Sequence, residues 1–126
     1  MPAYRSRIGS VQFLPPAPVV DLRVSNGSSV EAVEALIDSG ADATCIPEHV
    51  AERLELQPIS VLLVGGAGAR AEDRLVYRAQ SLKLEHVAVD NFAVIGMPID
   101  YAIVGRDLMN GFRLRLDGPV LHFTIE

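Results

Sequence analysis

Residues 35–44 read ALIDSGADAT, an apolar run that ends in an acid followed by a serine and a glycine. The residues before Asp38 are rich in Val, Ala, Leu and Ile, which predicts a strand that ends at the acid. Taken alone, Asp-Ser-Gly is common turn chemistry, because Asp and Ser side chains bond nearby backbone amides and Gly accepts positive φ. The stretch therefore becomes informative only together with the rest of the chain.

Two later segments accompany this acid. Residues 102–109 read AIVGRDLM, and residues 65–68, which read GGAG, lie between two extended stretches. In this order, and in a chain of 126 residues, the three segments resemble the active-site frame and flap of retroviral-type (retropepsin-like) aspartic proteases. The resemblance extends from about Pro18 to Glu126 and is most specific at Asp38–Thr44 and Val104–Leu108.

The pattern of apolar residues and turn signals predicts a mainly β fold with one or two short helices. Strands are expected at Val19–Val24, Val30–Ile37, Ser60–Val64, Ala69–Tyr77, Ala79–Leu84, Val87–Ile95, Tyr101–Val104, Phe112–Leu116 and Val120–Ile125. Short helices are expected at Pro47–Leu56, ended by Pro58, and at Gly105–Asn110. The resemblance implies one acid-protease lobe over residues 1–126, a closed barrel-like sheet. Its parts would be an N-terminal strand or arm at about 1–17, a flap hairpin at 59–78 and a C-terminal hairpin at 112–126.

Composition limits the classes of function. The net charge of −5 and the dispersed arginines argue against nucleic-acid binding. The apolar runs are too short for a membrane helix, and we find no convincing signal peptide, so a cytoplasmic location is expected. Cys45 is the single cysteine, which excludes an intramolecular disulfide. The three histidines lack metal-ligand spacing, so we expect neither a metal nor a cofactor.

The resemblance implies that Asp38 is catalytic and that the active site forms only in a homodimer, one Asp38 from each subunit. Two carboxylates a few ångströms apart cannot both ionise cheaply, so the pair would share a proton. The ionised Asp38 would activate a water, and the protonated one would hydrogen-bond the scissile carbonyl of a peptide or protein substrate. The predicted function is therefore an aspartic endopeptidase.

The remaining site residues also follow from the resemblance. Ser39, Gly40, Val104, Gly105 and Arg106 would support the active site, with the Ser39 hydroxyl bonding across the dimer axis. Substrate would be bound by residues of the acid motif and of the flap tip: Ala41, Asp42, Gly65, Gly66, Ala67 and Gly68. Asp42 is also expected to pair with Arg106; otherwise the two are solvated surface charges.

Other readings stay open. The chain could be a non-catalytic dimeric module of the same fold that binds peptides or serves as a scaffold. It could also be a monomer in which Asp38 is only a turn residue. A Cys-His hydrolase built on Cys45 and a serine hydrolase built on Ser39 have weak support. Two features depart from the viral pattern: Ser39 replaces the usual Thr, and the 112–126 hairpin is additional, which leaves the dimer interface open.

Overall fold

The computed structural model describes residues 2–65 and 70–126 and is mainly β, which confirms the predicted fold class. Two short helices are present: α1 (Glu48–Arg53) and α2 (Arg106–Met109). A 3-10 turn spans Gly118–Val120. The strands are β1 (Arg5–Ile8), β2 (Val11–Ala17), β3 (Val19–Ser25), β4 (Val30–Ile37), β5 (Cys45–Pro47), β6 (Gln57–Val64), β7 (Glu72–Leu84), β8 (Val87–Met97), β9 (Ala102–Val104), β10 (Leu114–Asp117) and β11 (His122–Ile125).

Six of these strands close into a barrel in the order β3-β4-β9-β5-β8-β7, and β3 pairs with β7 to complete the ring. The long strand β7 pairs with three strands, including β8 from Val76 to Leu84. Its first half pairs with β6, and its last residues pair with β3, for example Leu84 with Leu22. Closure removes the free edges that an open sheet would expose. Consequently β6 lies outside the ring, attached to it only through β7.

The core follows from alternation along the strands and from one helical stripe. In β3, Val20, Leu22 and Val24 are buried while the residues between them are exposed. Val50 and Ala51 of α1 and Leu54, which directly follows the helix, form one buried stripe, as 3.6-residue periodicity requires. These residues belong to one continuous apolar cluster, which also contains the fully buried Phe123 of β11.

Several element boundaries differ from those predicted. Helix α1 ends at Arg53, and Glu55 takes a φ of 50°, so Pro58 is not the residue that stops the helix. Pro58 instead lies in β6, which is a free edge that tolerates a residue without an N–H. The expected break before Ala79 is also absent: Tyr77 and Ala79 are both buried, so the inward alternation continues through one strand.

Three further boundaries moved. Strand β8 continues to Met97, beyond the expected stop, because its Gly96 and Met97 pair with β5. The N-terminal arm contains two strands, β1 and β2, which pair with each other as a hairpin. The C-terminal hairpin pairs Leu114 with Ile125 and so begins slightly later than predicted.

The topology places two chain segments side by side. Strands β4 and β9 are parallel neighbours, with Ile37 opposite Val104, and both end at the same side of the barrel. Strand β5 borders β9 on its other side, through Cys45 opposite Ile103. The residues that follow β4 and β9, beginning with Asp38 and Gly105, therefore leave the sheet at neighbouring positions.

Gly96 tests the packing of the barrel wall. A Cβ at this buried position would lie 2.7 Å from Cε2 of Tyr77, whose ring is itself buried. We expect Gly96→Ala to lower the free energy of unfolding by about 1–3 kcal/mol, because the ring must shift within a packed core. Urea denaturation measures the change. Gly118→Ala is the control, since a Cβ there meets nothing within 4 Å; equal stability of the two variants would contradict the prediction.

Candidate active site

Asp38 begins the loop that follows β4, and backbone contacts fix its position. Its N–H donates to the carbonyl of Val104 at 3.0 Å, at the end of β9. Its side-chain Oδ1 accepts the N–H of Gly40 at 2.9 Å, and its carbonyl accepts the N–H of Ala41 at 3.1 Å. The Asp-Ser-Gly stretch therefore does form a turn around the acid. The carboxyl group is half-buried, which keeps it accessible.

Arg106, the first residue of α2, holds this loop from the other segment. Its Nη1 donates to the carbonyl of Ser39 at 2.7 Å, and its backbone N–H donates to the carbonyl of Ala41 at 2.9 Å. Its Nη2 pairs with Oδ1 of Asp42, so the expected Asp42–Arg106 contact is present. The Asp42 side chain is 89% exposed, and the ion pair itself adds little stability there. The main effect of Arg106 is to position the loop.

Gly105 allows the two segments to touch. A Cβ at this buried position would lie 2.5 Å from the backbone carbon of Ala43 and 2.6 Å from its carbonyl oxygen. These are backbone atoms that cannot rotate away, so only glycine fits. Val104, just before it, is fully buried behind the Asp38 loop.

Two residues that sequence reasoning did not single out connect the segments further. Thr44 is fully buried; its hydroxyl donates to Oδ1 of Asp107 at 2.7 Å and accepts the N–H of Gly105 at 3.2 Å. Asp107 also accepts the backbone N–H of Thr44 at 3.1 Å and that of Leu108 at 2.8 Å. For Asp107 the sequence did offer a signal: it is an acid in the first turn of a predicted helix, where backbone N–H groups lack partners within the helix.

A groove of about 590 Å³ opens beside Asp38. Its floor comes from the loop after β4 and from β5, β8 and β9, and its roof comes from the end of β6. It is lined by Asp38, Gly40, Ala41, Asp42, Ala43, Cys45, Leu62, Leu63, Val64, Gly65, Ile95, Met97 and Ile103. Of the predicted flap residues, Gly65 lies at the groove, whereas Gly66, Ala67 and Gly68 lie outside the described residues. Apart from two carboxylates, the lining is apolar or small.

Cys45 lies in this lining and is buried, with 8% of the residue exposed. Burial raises the pKa of the thiol to about 11, and the carboxylates of Asp107 and Asp38 act in the same direction. Its Sγ donates to the carbonyl of Ala43 at 3.6 Å. The thiol therefore stays protonated near neutral pH, which disfavours Cys45 as a nucleophile.

Two further features concern residues 2–65 and 70–126. No three His, Cys, Asp or Glu side chains there form a group that could hold a metal ion. In the same part of the chain, the helices are all too short and too polar to cross a membrane.

Comparison with known proteins identifies the family. A family profile described as aspartyl protease matches residues 20–110, which include both segments of the site. The chain belongs to the aspartyl protease family. No curated protein sequence matches this chain.

Solved structures similar to this member of the aspartyl protease family include retroviral proteases. The simian foamy virus (mac) protease is 24% identical with a TM-score of 0.54, over 74% of this chain and 92% of that chain. The EIAV protease is 17% identical with a TM-score of 0.59, over 80% and 92%. The prototype foamy virus protease–reverse transcriptase is 23% identical with a TM-score of 0.55, over 87% of this chain and 12% of that chain. These likenesses confirm the predicted retropepsin-like fold.

The Thr44 hydroxyl gives a direct test of the link between the segments. Thr44→Val keeps the shape but leaves the Asp107 carboxylate and the Gly105 N–H without this partner. We expect a loss of about 1–3 kcal/mol in the free energy of unfolding, the usual cost of unsatisfied buried polar groups. Thr44→Ser keeps the hydroxyl and is the matched control. Chemical denaturation should rank the serine variant above the valine variant; the reverse order would remove the hydroxyl from this role.

The raised pKa of Cys45 predicts slow alkylation. With a pKa of about 11, only about one thiol in a thousand is ionised at pH 8, and burial slows the reaction further. Iodoacetamide should therefore modify native Cys45 about 100-fold or more slowly than a free cysteine at pH 8, and the rate should still rise between pH 9 and pH 10.5. Mass spectrometry of the intact protein measures it, with urea-unfolded protein as the control. A rate that levels off below pH 9 would contradict the assignment.

Proposed function

We propose that this protein is an aspartic endopeptidase that acts as a homodimer, with Asp38 of each subunit forming the catalytic pair. The observation that carries the proposal is the setting of Asp38. Asp38 is half-buried, and its loop is hydrogen-bonded to the second segment, residues 102–109. It lines a groove large enough for several side chains of an extended peptide. A carboxylate serving only as a turn residue would not need this second segment behind it.

The proposed chemistry follows from two such carboxylates sharing one proton. The ionised carboxylate removes a proton from a bound water, and the water oxygen forms a bond to the scissile carbonyl carbon. The protonated carboxyl donates a hydrogen bond to the carbonyl oxygen, where negative charge develops. The C–N bond then breaks, and a proton passes to the departing amine. No covalent acyl-enzyme forms.

Loop rigidity is the contribution we assign to the residues around Asp38. The Ser39 hydroxyl would bond across the dimer axis, where its counterpart from the other subunit arrives. Gly40 lets the substrate backbone approach without meeting a Cβ. Arg106 and Asp107 hold the loop from behind through the bonds described above, so that the two carboxylates meet at a fixed separation.

The groove walls would supply substrate contacts. Leu62 and Val64 line it from β6, and Ala43, Cys45 and Ile103 line it from below. We assign a peptide in extended conformation to the space between them, with Asp42 near its main chain. The hairpin of β6 and β7 would act as the flap, covering the peptide from the side of Leu62, Val64 and Gly65 and excluding water.

Substitution of the acid tests catalysis. Asp38→Asn should abolish cleavage of a mixed peptide library between pH 3.5 and pH 7.5, because an amide is neither a base nor a shared-proton donor. The matched control is Asp90→Asn, an exposed acid on β8. Mass spectrometry of the products measures both. Equal cleavage by the parent and Asp38→Asn would remove Asp38 from catalysis. Peptide binding without cleavage in the parent would favour the non-catalytic binding module.

Mixing the subunits tests whether the site is shared. If each active site needs one Asp38 from both subunits, adding a tenfold excess of Asp38→Asn protein should suppress parental activity by roughly that factor, because parental chains then pair mostly with inactive ones. The same excess of Asp90→Asn protein should raise activity instead. Activity that stays constant with added Asp38→Asn protein would mean that a single chain carries the whole site.

A further inference from the structure

The dipeptide Asn-Gly occurs twice in this chain, and it is chemically labile. Of the three asparagines, Asn26, Asn91 and Asn110, the first and the last precede a glycine. Asparagine is one of the thermolabile residues. The backbone nitrogen of the following residue can attack the side-chain amide carbon, and glycine allows the attack because it has no Cβ to obstruct the approach. The surroundings of the two amides therefore decide which of them reacts in the folded protein.

Asn26, between β3 and β4, is held by bonds to both ends of its amide. Its Nδ2 donates to the carbonyl of Leu54, just after α1, at 2.7 Å. Its Oδ1 accepts the backbone N–H groups of Ser28 and Ser29 at 2.8 and 2.7 Å. Attack would make the planar amide carbon tetrahedral and would move Oδ1 and Nδ2 away from these partners. The reaction at Asn26 therefore requires the turn to open first.

The attacking nitrogen at this first position is also engaged. The Gly27 N–H donates to the Ser25 hydroxyl at 3.0 Å. The nitrogen must lose its proton before it can attack, so this bond adds to the restraint on the amide.

Asn110 is restrained much less. It follows α2 directly, and both Asn110 and Gly111 are exposed. Within residues 2–65 and 70–126, the Asn110 side chain takes part in no hydrogen bond. The Gly111 N–H does donate to the carbonyl of Leu108 at 3.0 Å. That bond lies at the end of a helix of four residues, where hydrogen bonds open readily.

We propose that Asn110 is a site of spontaneous covalent modification in the native protein, and that the turn around Asn26 protects the other Asn-Gly. At Asn110, the Gly111 nitrogen gives its proton to base and forms a bond to the amide carbon. The bond from that carbon to Nδ2 breaks, and ammonia leaves. The resulting five-membered cyclic imide takes up water at either carbonyl, which gives aspartate or isoaspartate. Water is the only co-reactant, and the inference does not depend on the proposed function.

The products alter the end of α2. Each conversion adds a negative charge beside the last carbonyls of the helix, where the helix dipole disfavours an anion. Isoaspartate also lengthens the backbone by one carbon atom between α2 and β10. Because Arg106 at the start of α2 holds the Asp38 loop, the modification acts on the helix that supports the candidate active site.

Peptide mapping of aged protein tests the contrast. The native protein is kept at pH 8 and then digested with trypsin, which places the two asparagines on different peptides because arginines separate them. Mass spectrometry measures the conversion of amide to acid at each position. Asn110 should convert about tenfold or more faster than Asn26, because Asn26 reacts only when its turn opens. In guanidinium chloride the two rates should agree within about threefold, because the unfolded chain restrains neither amide.

Two variants separate the causes, with circular dichroism as the check on folding. Gly111→Ala should slow conversion of Asn110 about tenfold, because its methyl group obstructs the attacking nitrogen. Ser25→Ala frees the Gly27 N–H and should raise the native rate at Asn26 about threefold or more, with the rate at Asn110 unchanged. The cyclic route is read independently from its products, since it yields isoaspartate as well as aspartate at Asn110.

Three results would overturn the inference. Faster native conversion of Asn26 than of Asn110 would mean that the N–H groups of Ser28 and Ser29 stabilise the developing oxyanion rather than restrain the amide. Equal native rates would remove the protection assigned to the turn. An Asn110 that stays intact in the native protein while the unfolded protein converts would show that the end of α2 is closed to the reaction.

Discussion

The backbone of Ala43 lies against Gly105 with no room for a side chain between them, and the rest of the site depends on that approach. Around it, Asp38 bonds to Val104, and Thr44 bonds to both Gly105 and Asp107. These bonds join segments separated by about half of the chain. They form only once β4, β9 and β5 are neighbours, so the closed barrel holds the Asp38 loop in place. Folding and site assembly are therefore the same event here.

The barrel limits how much of this could be read from the sequence. Val30–Ile37 carries a strong local signal, and the strand is found at the predicted residues. The stripe of α1 is equally local. The acid motif and the later glycine were recognised only through the resemblance to a known family, because neither is informative alone. The contact with Ala43 that requires a glycine at position 105 is long-range and could not be read from the sequence.

Long-range contacts explain what the sequence did not reveal. Thr44 and Asp107 bond across 63 positions, and no periodicity reports such a pair. The breaks expected near Arg78 and at Gly96 were predicted from local composition, but pairing with β8 and β5 carries the strands through them. Pro58 was misread for a related reason: its tolerance depends on β6 being an edge, which is a property of the sheet rather than of the residue.

Edge strands lead to one further distinction within the fold. Strands β6 and β10 lie outside the closed barrel, and each is paired with another strand on one side only within the described residues. The two free edges differ in chemistry. Strand β6 carries no charged residue, and Ile59, Val61 and Leu63 are exposed on it. Charged side chains beside a mostly apolar groove would have to be partly removed from water, which costs free energy. Strand β10 carries one arginine and one acid, two positions apart. An uncharged edge accepts many extended partners, whereas an edge with fixed charges accepts fewer, because a partner strand must place charges of opposite sign against them.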